Sequence, residues 1–388
     1  GDFGPVCYDL NALDISNYAG VNEGALTGKI SHFHIEKTSG AYIGCPVDNE
    51  DFCQIAAGIK THVSAGPLHA TRLGLDDLTT ESLSVAACDW NGDGLPDLGV
   101  GGGGLSSSKL LRFYVNTGQG VGLQADVTSG TTEFNLTALA WGDYDNDGRA
   151  DLAASGFVGY DGCTRIYRNR GPAGFVDSGV SLPSLKFSAL AWGDYNNDGR
   201  LDLVLAGRDA LRNDLTGIYR NDGAGQFTDS GIALDPESQV GVSWADMNND
   251  GWLDLAVGVT LYQNNGDGTF TARLRLEDAV DNRHAWGDYN GDGLLDLAYM
   301  GYKSEFQSSG EQFYAAIYCN LGDFNFVDIN AGLHAVYNGA LAWADFDNDG
   351  RLDLALCGLE AQGWEDQATR LYRQSALGQF DDIGADLT

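Results

Sequence analysis

Six copies of one nine-residue pattern, Asp-x-Asp/Asn-x-Asp-Gly-x-x-Asp, recur along this 388-residue chain. They run from Asp89 to Asp97, Asp143 to Asp151, Asp194 to Asp202, Asp246 to Asp254, Asp288 to Asp296 and Asp345 to Asp353. Their first residues lie 54, 51, 52, 42 and 57 positions apart. A period near 50 is that of a propeller or solenoid, in which each repeat is one supersecondary unit. Six matches in register are hard to obtain by chance, and they limit the chain to a repeat architecture.

The spacing has a chemical reading. Alternate residues of a tight loop aim side chains inward, so positions 1, 3 and 5 converge on one point. Glycine at position 6 (Gly94, Gly148, Gly199, Gly251, Gly293, Gly350) allows a sharp reversal at a φ costly for other residues. Position 7 can offer a backbone carbonyl, and Asp at position 9 closes the cage. A hard divalent cation such as Ca²⁺ wants six to eight oxygens at about 2.3–2.6 Å. The candidate ligands are therefore Asp89, Asn91, Asp93 and Asp97; Asp143, Asp145, Asp147 and Asp151; Asp194, Asn196, Asp198 and Asp202. Further along they are Asp246, Asn248, Asp250 and Asp254; Asp288, Asn290, Asp292 and Asp296; Asp345, Asp347, Asp349 and Asp353. About six Ca²⁺ are implied. An EF-hand would need a bidentate Glu at position 12, where this chain has Val100, Ala154, Leu205, Val257, Tyr299 and Leu356. The flanks are short apolar runs ending at Gly, so the loop is expected inside a β-hairpin.

Around each loop the unit extends to four short strands joined by tight hairpins. A strand leads in, often through Trp (Trp141, Trp192, Trp244, Trp286, Trp343), and an apolar strand leads out. A variable connector follows, then a strand with Tyr and, two residues on, Asn116, Asn169, Asn221, Asn264, Asn320 or Gln374. A Gly-rich turn and an aromatic close the unit. The recurrent Trp is read as packing between repeats.

Before residue 83 a seventh, eroded copy can be aligned. It has Pro46, Asp48, Glu50 and Gln54 at loop positions 1, 3, 5 and 9, and Asp51 in place of Gly, so no metal is expected there. The reading is an all-β, seven-bladed β-propeller of four-stranded antiparallel blades, one degenerate; a six-bladed ring with an extra N-terminal domain is the alternative. The degenerate blade covers about 36–82, six calcium-loop blades cover 83–388, and 1–35 is an N-terminal extension or cap.

The formal charge of −33 becomes less extreme once the loops' 20 carboxylates are counted. Six divalent ions would bring it to about −21. The chain stays acidic, which disfavours nucleic acid and anionic membrane surfaces as partners. No run of 18 apolar residues is present to span a bilayer. The numbering starts at Gly1 without Met or an apolar leader, as expected of a mature or an engineered start from which targeting information has been lost. Seven cysteines show no zinc-like spacing. Cys7, Cys45 and Cys53 are candidates for disulfides, with at least one thiol left over, while Cys88, Cys319 and Cys357 lie in expected strands. Weak calcium loops saturate near millimolar calcium, which favours a secreted or cell-surface setting.

The unit Trp-Gly-Asp-Tyr-Asn-Asn-Asp-Gly-Arg-Leu-Asp-Leu, at 192–203, resembles the FG-GAP (VCBS-type) repeat family, which includes the propeller head of integrin α subunits. The resemblance covers roughly 40–388. It implies a seven-bladed propeller with calcium in the hairpin between the first two strands of a blade, at the six Asp loops. More loops are intact here than in integrins, so an integrin's partner subunit and ligand do not carry over.

No Gly-x-Ser-x-Gly, His-Glu-x-x-His or phosphate-loop motif is present, and His32 with His34 is a weak pair. The expected function is a non-catalytic, extracellular, calcium-binding adhesion module. Its protein or glycan ligand would sit on the face opposite the metals. The alternatives are a structural subunit of an extracellular filament or matrix, able to self-assemble, and a polysaccharide lyase or hydrolase. The connectors between second and third strands (99–112, 155–165, 206–217, 258–260, 300–315, 358–370) line that face and carry the candidate ligand contacts Tyr160, Tyr302, Lys303, Phe306 and Trp364. Asn135-Leu136-Thr137 fits a glycosylation acceptor.

Overall fold

The computed structural model describes residues 82–104, 107–117, 121–126, 134–158, 161–276, 280–303, 312–360 and 367–384, with four isolated pairs at 13–14, 29–30, 60–61 and 69–70. They form an all-β propeller with four-stranded antiparallel blades. Blade 1 comprises Ser82–Cys88, Asp97–Gly104, Ser107–Asn116 and Val121–Asp126. Blade 2 comprises Phe134–Gly142, Asp151–Val158, Asp161–Asn169 and Phe175–Asp177. Blade 3 comprises Lys186–Gly193, Asp202–Arg208, Asp214–Gly223 and Gln226–Asp229. Blade 4 comprises Val242–Ala245, Asp254–Val257, Thr260–Asn264 and Phe270–Arg275. Blade 5 comprises Val280–Gly287, Asp296–Lys303, Gln312–Asn320 and Phe326–Asp328; blade 6 comprises Val336–Ala344, Asp353–Glu360, Gln367–Ala376 and Gln379–Asp382.

The described residues thus hold six blades, not the seven expected. The segment assigned to the degenerate blade contributes only the two-residue pairing of Lys60–Thr61 with His69–Ala70. The loop of that copy, with Pro46, Asp48, Glu50, Asp51 and Gln54, lies outside the described residues. Cys7, Cys45, Cys53, His32 and His34 lie outside the described residues.

Within each blade the strands pair in chain order. First strands of consecutive blades contact one another, so they are the innermost. In blades 2 to 5 each second strand is buried on both faces, because a neighbouring blade lies on either side, whereas in blade 6 Ala355 and Cys357 are only half-buried. Leu203, Val204, Leu205 and Ala206 are fully buried, as are Leu152, Ala153 and Ala154. Double-sided burial explains why these strands read as unbroken apolar runs instead of alternating.

The tryptophans join the blades, as expected. Trp141 Nε1 donates to Ala86 O of the preceding blade at 3.0 Å; Trp192, Trp244 and Trp343 do the same to Ala140, Ala191 and Ala285. The residue after Trp is Gly142, Gly193 or Gly287 in three blades. A Cβ there would stand 2.7–2.9 Å from the next blade's Trp ring, so only glycine admits the indole at that depth. Blade 4 has Ala245 instead, and the incoming Trp286 donates to Ser243 Oγ rather than to a carbonyl. The position-2 aromatics complete the seam: Tyr144 stacks on Trp192, Tyr195 on Trp244 and Tyr289 on Trp343, with ring centroids 6.2–6.4 Å apart.

The connectors between second and third strands are shorter than expected. The described strands of blade 1 continue to Gly104 and resume at Ser107, and those of blade 5 continue to Lys303. Blade 4 turns directly from Val257 to Thr260 through Gly258 at φ 58°, which accounts for its short repeat.

Candidate metal centres

Each acidic loop is closed by pairing of its ninth residue with the last residue of the first strand: Cys88 with Asp97, Gly142 with Asp151, Gly193 with Asp202, Ala245 with Asp254, Gly287 with Asp296, Ala344 with Asp353. Between these ends the chain folds around its own carboxylates. The position-1 Asp accepts the position-5 amide on Oδ1 and the glycine amide on Oδ2 in all six loops. In loop 3 these are Asp198 N and Gly199 N onto Asp194, at 3.0 and 2.8 Å. The position-5 Oδ1 accepts the position-7 amide, as in Arg200 N onto Asp198 at 3.0 Å. The six glycines sit at φ 82–87° with open space around them, so conformation and not crowding requires them.

Two features here escaped the sequence reading. Position 4 is also left-handed in every loop and is always Gly or Asn: Gly92, Asn146, Asn197, Asn249, Gly291 and Asn348, at φ 55–77°. The Asn of the third strand was visible as a pattern without a role. Its amide donates to the position-9 carboxylate, as in Asn169 N onto Asp151 Oδ1 at 2.7 Å and Asn221 N onto Asp202 Oδ1 at 2.7 Å. Its side chain reaches the position-2 carbonyl of the preceding loop: Asn169 to Trp90, Asn221 to Tyr144, Asn264 to Tyr195, Asn320 to Met247, and Gln374 to Tyr289. One buried residue thus braces two loops.

The position-9 carboxylates are all fully buried. In loops 4 to 6 Oδ2 accepts the position-2 amide, from Met247, Tyr289 and Phe346. In loops 1 to 3 the Oδ2 atoms of Asp97, Asp151 and Asp202 have no hydrogen-bond partner, and neither does Oδ1 of Asp145. Burying an ionised oxygen with no donor is costly, and the carboxyls respond. Burial, reinforced by loop carboxylates and partly offset by the third-strand amide, pushes Asp97, Asp202, Asp254 and Asp353 up to about 7, Asp151 to about 8 and Asp296 to about 6. A cation seated among these oxygens would relieve both penalties, so the residues fit the group.

Carboxylate oxygens of Asp143, Asp145 and Asp151 lie within 4.8 Å of one another, as do those of Asp345, Asp347 and Asp353. These are the two loops with Asp at position 3; the other four offer the amide oxygen of Asn91, Asn196, Asn248 or Asn290 there. Arginines offset part of the remaining charge. Arg200 Nη2 meets Asp198 at 2.5 Å, Arg149 does the same to Asp147, Arg351 pairs with Asp349, and Arg168 Nε reaches Asp145 at 2.6 Å. If loaded, a divalent ion would supply a fixed positive charge tying both strands of the hairpin together.

At the other end of the blades the N-terminal parts of five first strands and their leads line a cavity of about 190 Å³, where Ser84, Thr137, Ser188 and Arg283 accompany apolar walls that include Phe187. Tyr160, Phe306 and Trp364 lie outside the described residues. Tyr302 and Lys303 belong to the second strand of blade 5, paired with Phe313 and Gln312, not to a free connector. Asn135 lies in the first strand of blade 2, opposite Phe157, while Thr137 of its acceptor triplet is buried. Cys88, Cys163, Cys319 and Cys357 are free thiols.

A family model described as "FG-GAP-like repeat" matches residues 89–154, 194–257 and 288–356, more than half of the chain. The chain belongs to the FG-GAP-like repeat family. Each matched segment spans two acidic loops together with the last three strands of one blade and the first strand of the next. Searches among curated proteins find no match. Among solved structures, the FG-GAP-like chain is similar to the V. cholerae biofilm matrix protein Bap1, at 16% identity and TM-score 0.36, over 72% of this chain and 38% of that one. It is also similar to the exotype rhamnogalacturonan lyase YesX, at 14% identity and TM-score 0.42, over 84% of this chain and 60% of that one. The chain spans less than two thirds of either structure's length. No helix among the described residues is long and apolar enough to cross a membrane.

Proposed function

We propose that this protein is a secreted, calcium-stabilised, non-catalytic propeller that holds a protein or glycan ligand on the end of its blades opposite the acidic loops. The observation that carries the reading is the set of buried position-9 carboxylates, three of them with an oxygen that meets no donor, each inside a loop whose backbone already positions further oxygens. The ion's role is structural, because the loops lie at the hairpin ends and brace neighbouring blades through the third-strand Asn. Loops whose other ligands lie near the surface fill where calcium is near millimolar, which supports an extracellular setting. The opposite end carries the chemistry of a binding surface: hydroxyls, a guanidinium and apolar walls around the cavity.

The test has two arms. Calorimetric titration of the metal-stripped chain with calcium alone should show about six sites; no uptake at millimolar calcium would refute the metal reading. A glycan array probed with the calcium-loaded chain, repeated with Arg283→Gln, should show saturable binding that the substitution weakens. Binding untouched by changes around the cavity would move the ligand elsewhere.

A further inference from the structure

Three of the four asparagines at loop position 4 reach forward into the next loop. Asn146 Nδ2 donates to Gly199 O at 2.8 Å, Asn197 to Gly251 O at 2.9 Å and Asn249 to Gly293 O at 2.6 Å. Each asparagine sits between the oxygen-bearing positions 3 and 5 of its own loop. Each target carbonyl belongs to the glycine between positions 5 and 7 of the following loop. Loops 1 and 5 have Gly92 and Gly291 at this place, with no side chain to make the tie. The ties therefore join loops 2, 3, 4 and 5 in an unbroken string and stop at both ends of it.

We propose that the cation sites of loops 2 to 5 bind cooperatively through these asparagines, while loops 1 and 6 bind outside the coupled set. The inference rests on the loops taking up cations, which the donor-less buried oxygens of Asp151 and Asp202 support independently of the ties. A cation in one loop pins positions 3 and 5 and so holds the asparagine between them. The held side chain orders the next loop's glycine peptide, and ordering already accomplished need not be repeated when the next ion arrives. The third-strand ties from Asn169 to Gln374 join successive loops alike, so they cannot single out loops 2 to 5. The position-4 bonds can. They are exposed to water, so each is expected to shift its neighbour's affinity by about threefold, toward the low end for a neutral hydrogen bond.

The experiment is a calorimetric titration of the EDTA-stripped chain with calcium alone. The wild type should show four sites with a Hill coefficient above 1 and two that fit independently. The triple variant Asn146→Gly, Asn197→Gly, Asn249→Gly uses the residue that loops 1 and 5 already tolerate at this φ. It should keep six sites and lose the cooperativity. Gly291→Asn supplies the missing donor and should draw loop 6 into a coupled set of five. Identical isotherms for wild type and triple variant overturn the proposal. If the triple variant does not fold, an unchanged isotherm for Gly291→Asn overturns it instead. A wild type that takes up no calcium overturns the cation reading beneath it, which is a different failure from six independent sites.

Discussion

At the scale of single residues, the position-9 aspartates set the pH behaviour of the chain. Their folded-state values, about 6 to 8, lie above the 3.9 or so of an unfolded Asp. Between pH 4 and those values the native state holds more protons than the unfolded one, so metal-free stability falls as pH rises through that window. The aspartates held low by hydrogen bonds, Asp209, Asp214, Asp222 and Asp267, lose their contribution only below about pH 4 and leave the window clear. Calcium bound as proposed would reverse the sign, because it needs the ionised form. In EDTA the melting temperature should therefore rise from pH 8 to pH 5, while in millimolar calcium the increment due to the ion should shrink over the same range. A calcium increment independent of pH would place the ion away from these carboxyls. Asn221 offers a second residue-scale test. Its side chain donates to Tyr144 O in buried surroundings and to Leu201 O, and accepts Gly223 N, in part-buried ones. Asn221→Ala strands these groups and should cost about 3 kcal/mol in chemical denaturation, at roughly 1–3 kcal/mol for each unsatisfied buried group.

At the scale of the blade, the Trp-Gly step decides how closely neighbours approach. A Cβ on Gly193 would lie 2.7 Å from Trp244 Cδ1. Gly193→Ala should push the indole out of its seam and cost about 1–3 kcal/mol, as overpacking does. Ala245→Gly, at the equivalent place in blade 4, meets a Trp286 already displaced onto Ser243 Oγ and should change stability far less. Equal losses from both substitutions in thermal melts would show that the depth at which the indole sits does not decide the cost. The same junction explains His284. Its Nε2 donates to Gly258 O at 2.7 Å and its Nδ1 lies 3.3 Å from Ser243 Oγ, and burial lowers its pKa to about 4, so it stays neutral at physiological pH.

At the scale of the whole molecule, stability should depend on the ions collectively. Calcium at ten times its Kd adds about 1.4 kcal/mol per site, and six sites are comparable with the stability of an ordinary domain. Chelation should lower the melting temperature by well over 10 °C at low salt, and loops stripped of their ions should show faster amide exchange than the second strands. An EDTA melt superimposable on the calcium melt would leave the loops as plain acidic turns.

Much of this protein was legible in its sequence. A nine-residue loop is a local object, and local spacing of Asp, Asn and Gly reports it directly. So do the four-strand unit, the burial of the Leu203–Ala206 run and the seam role of Trp192, since each repeats and repetition averages out accident. The tertiary structure decided what joins residues about 50 to 85 positions apart: Asn169 with Trp90 O, Asn197 with Gly251 O, Gln374 with Tyr289 O. It also decided which position-9 oxygens stay without a donor and how far Tyr302 lies inside a strand. The physical reason is that these depend on how closely one blade settles on the next, a distance set by the packing of whole sheets and by no single repeat.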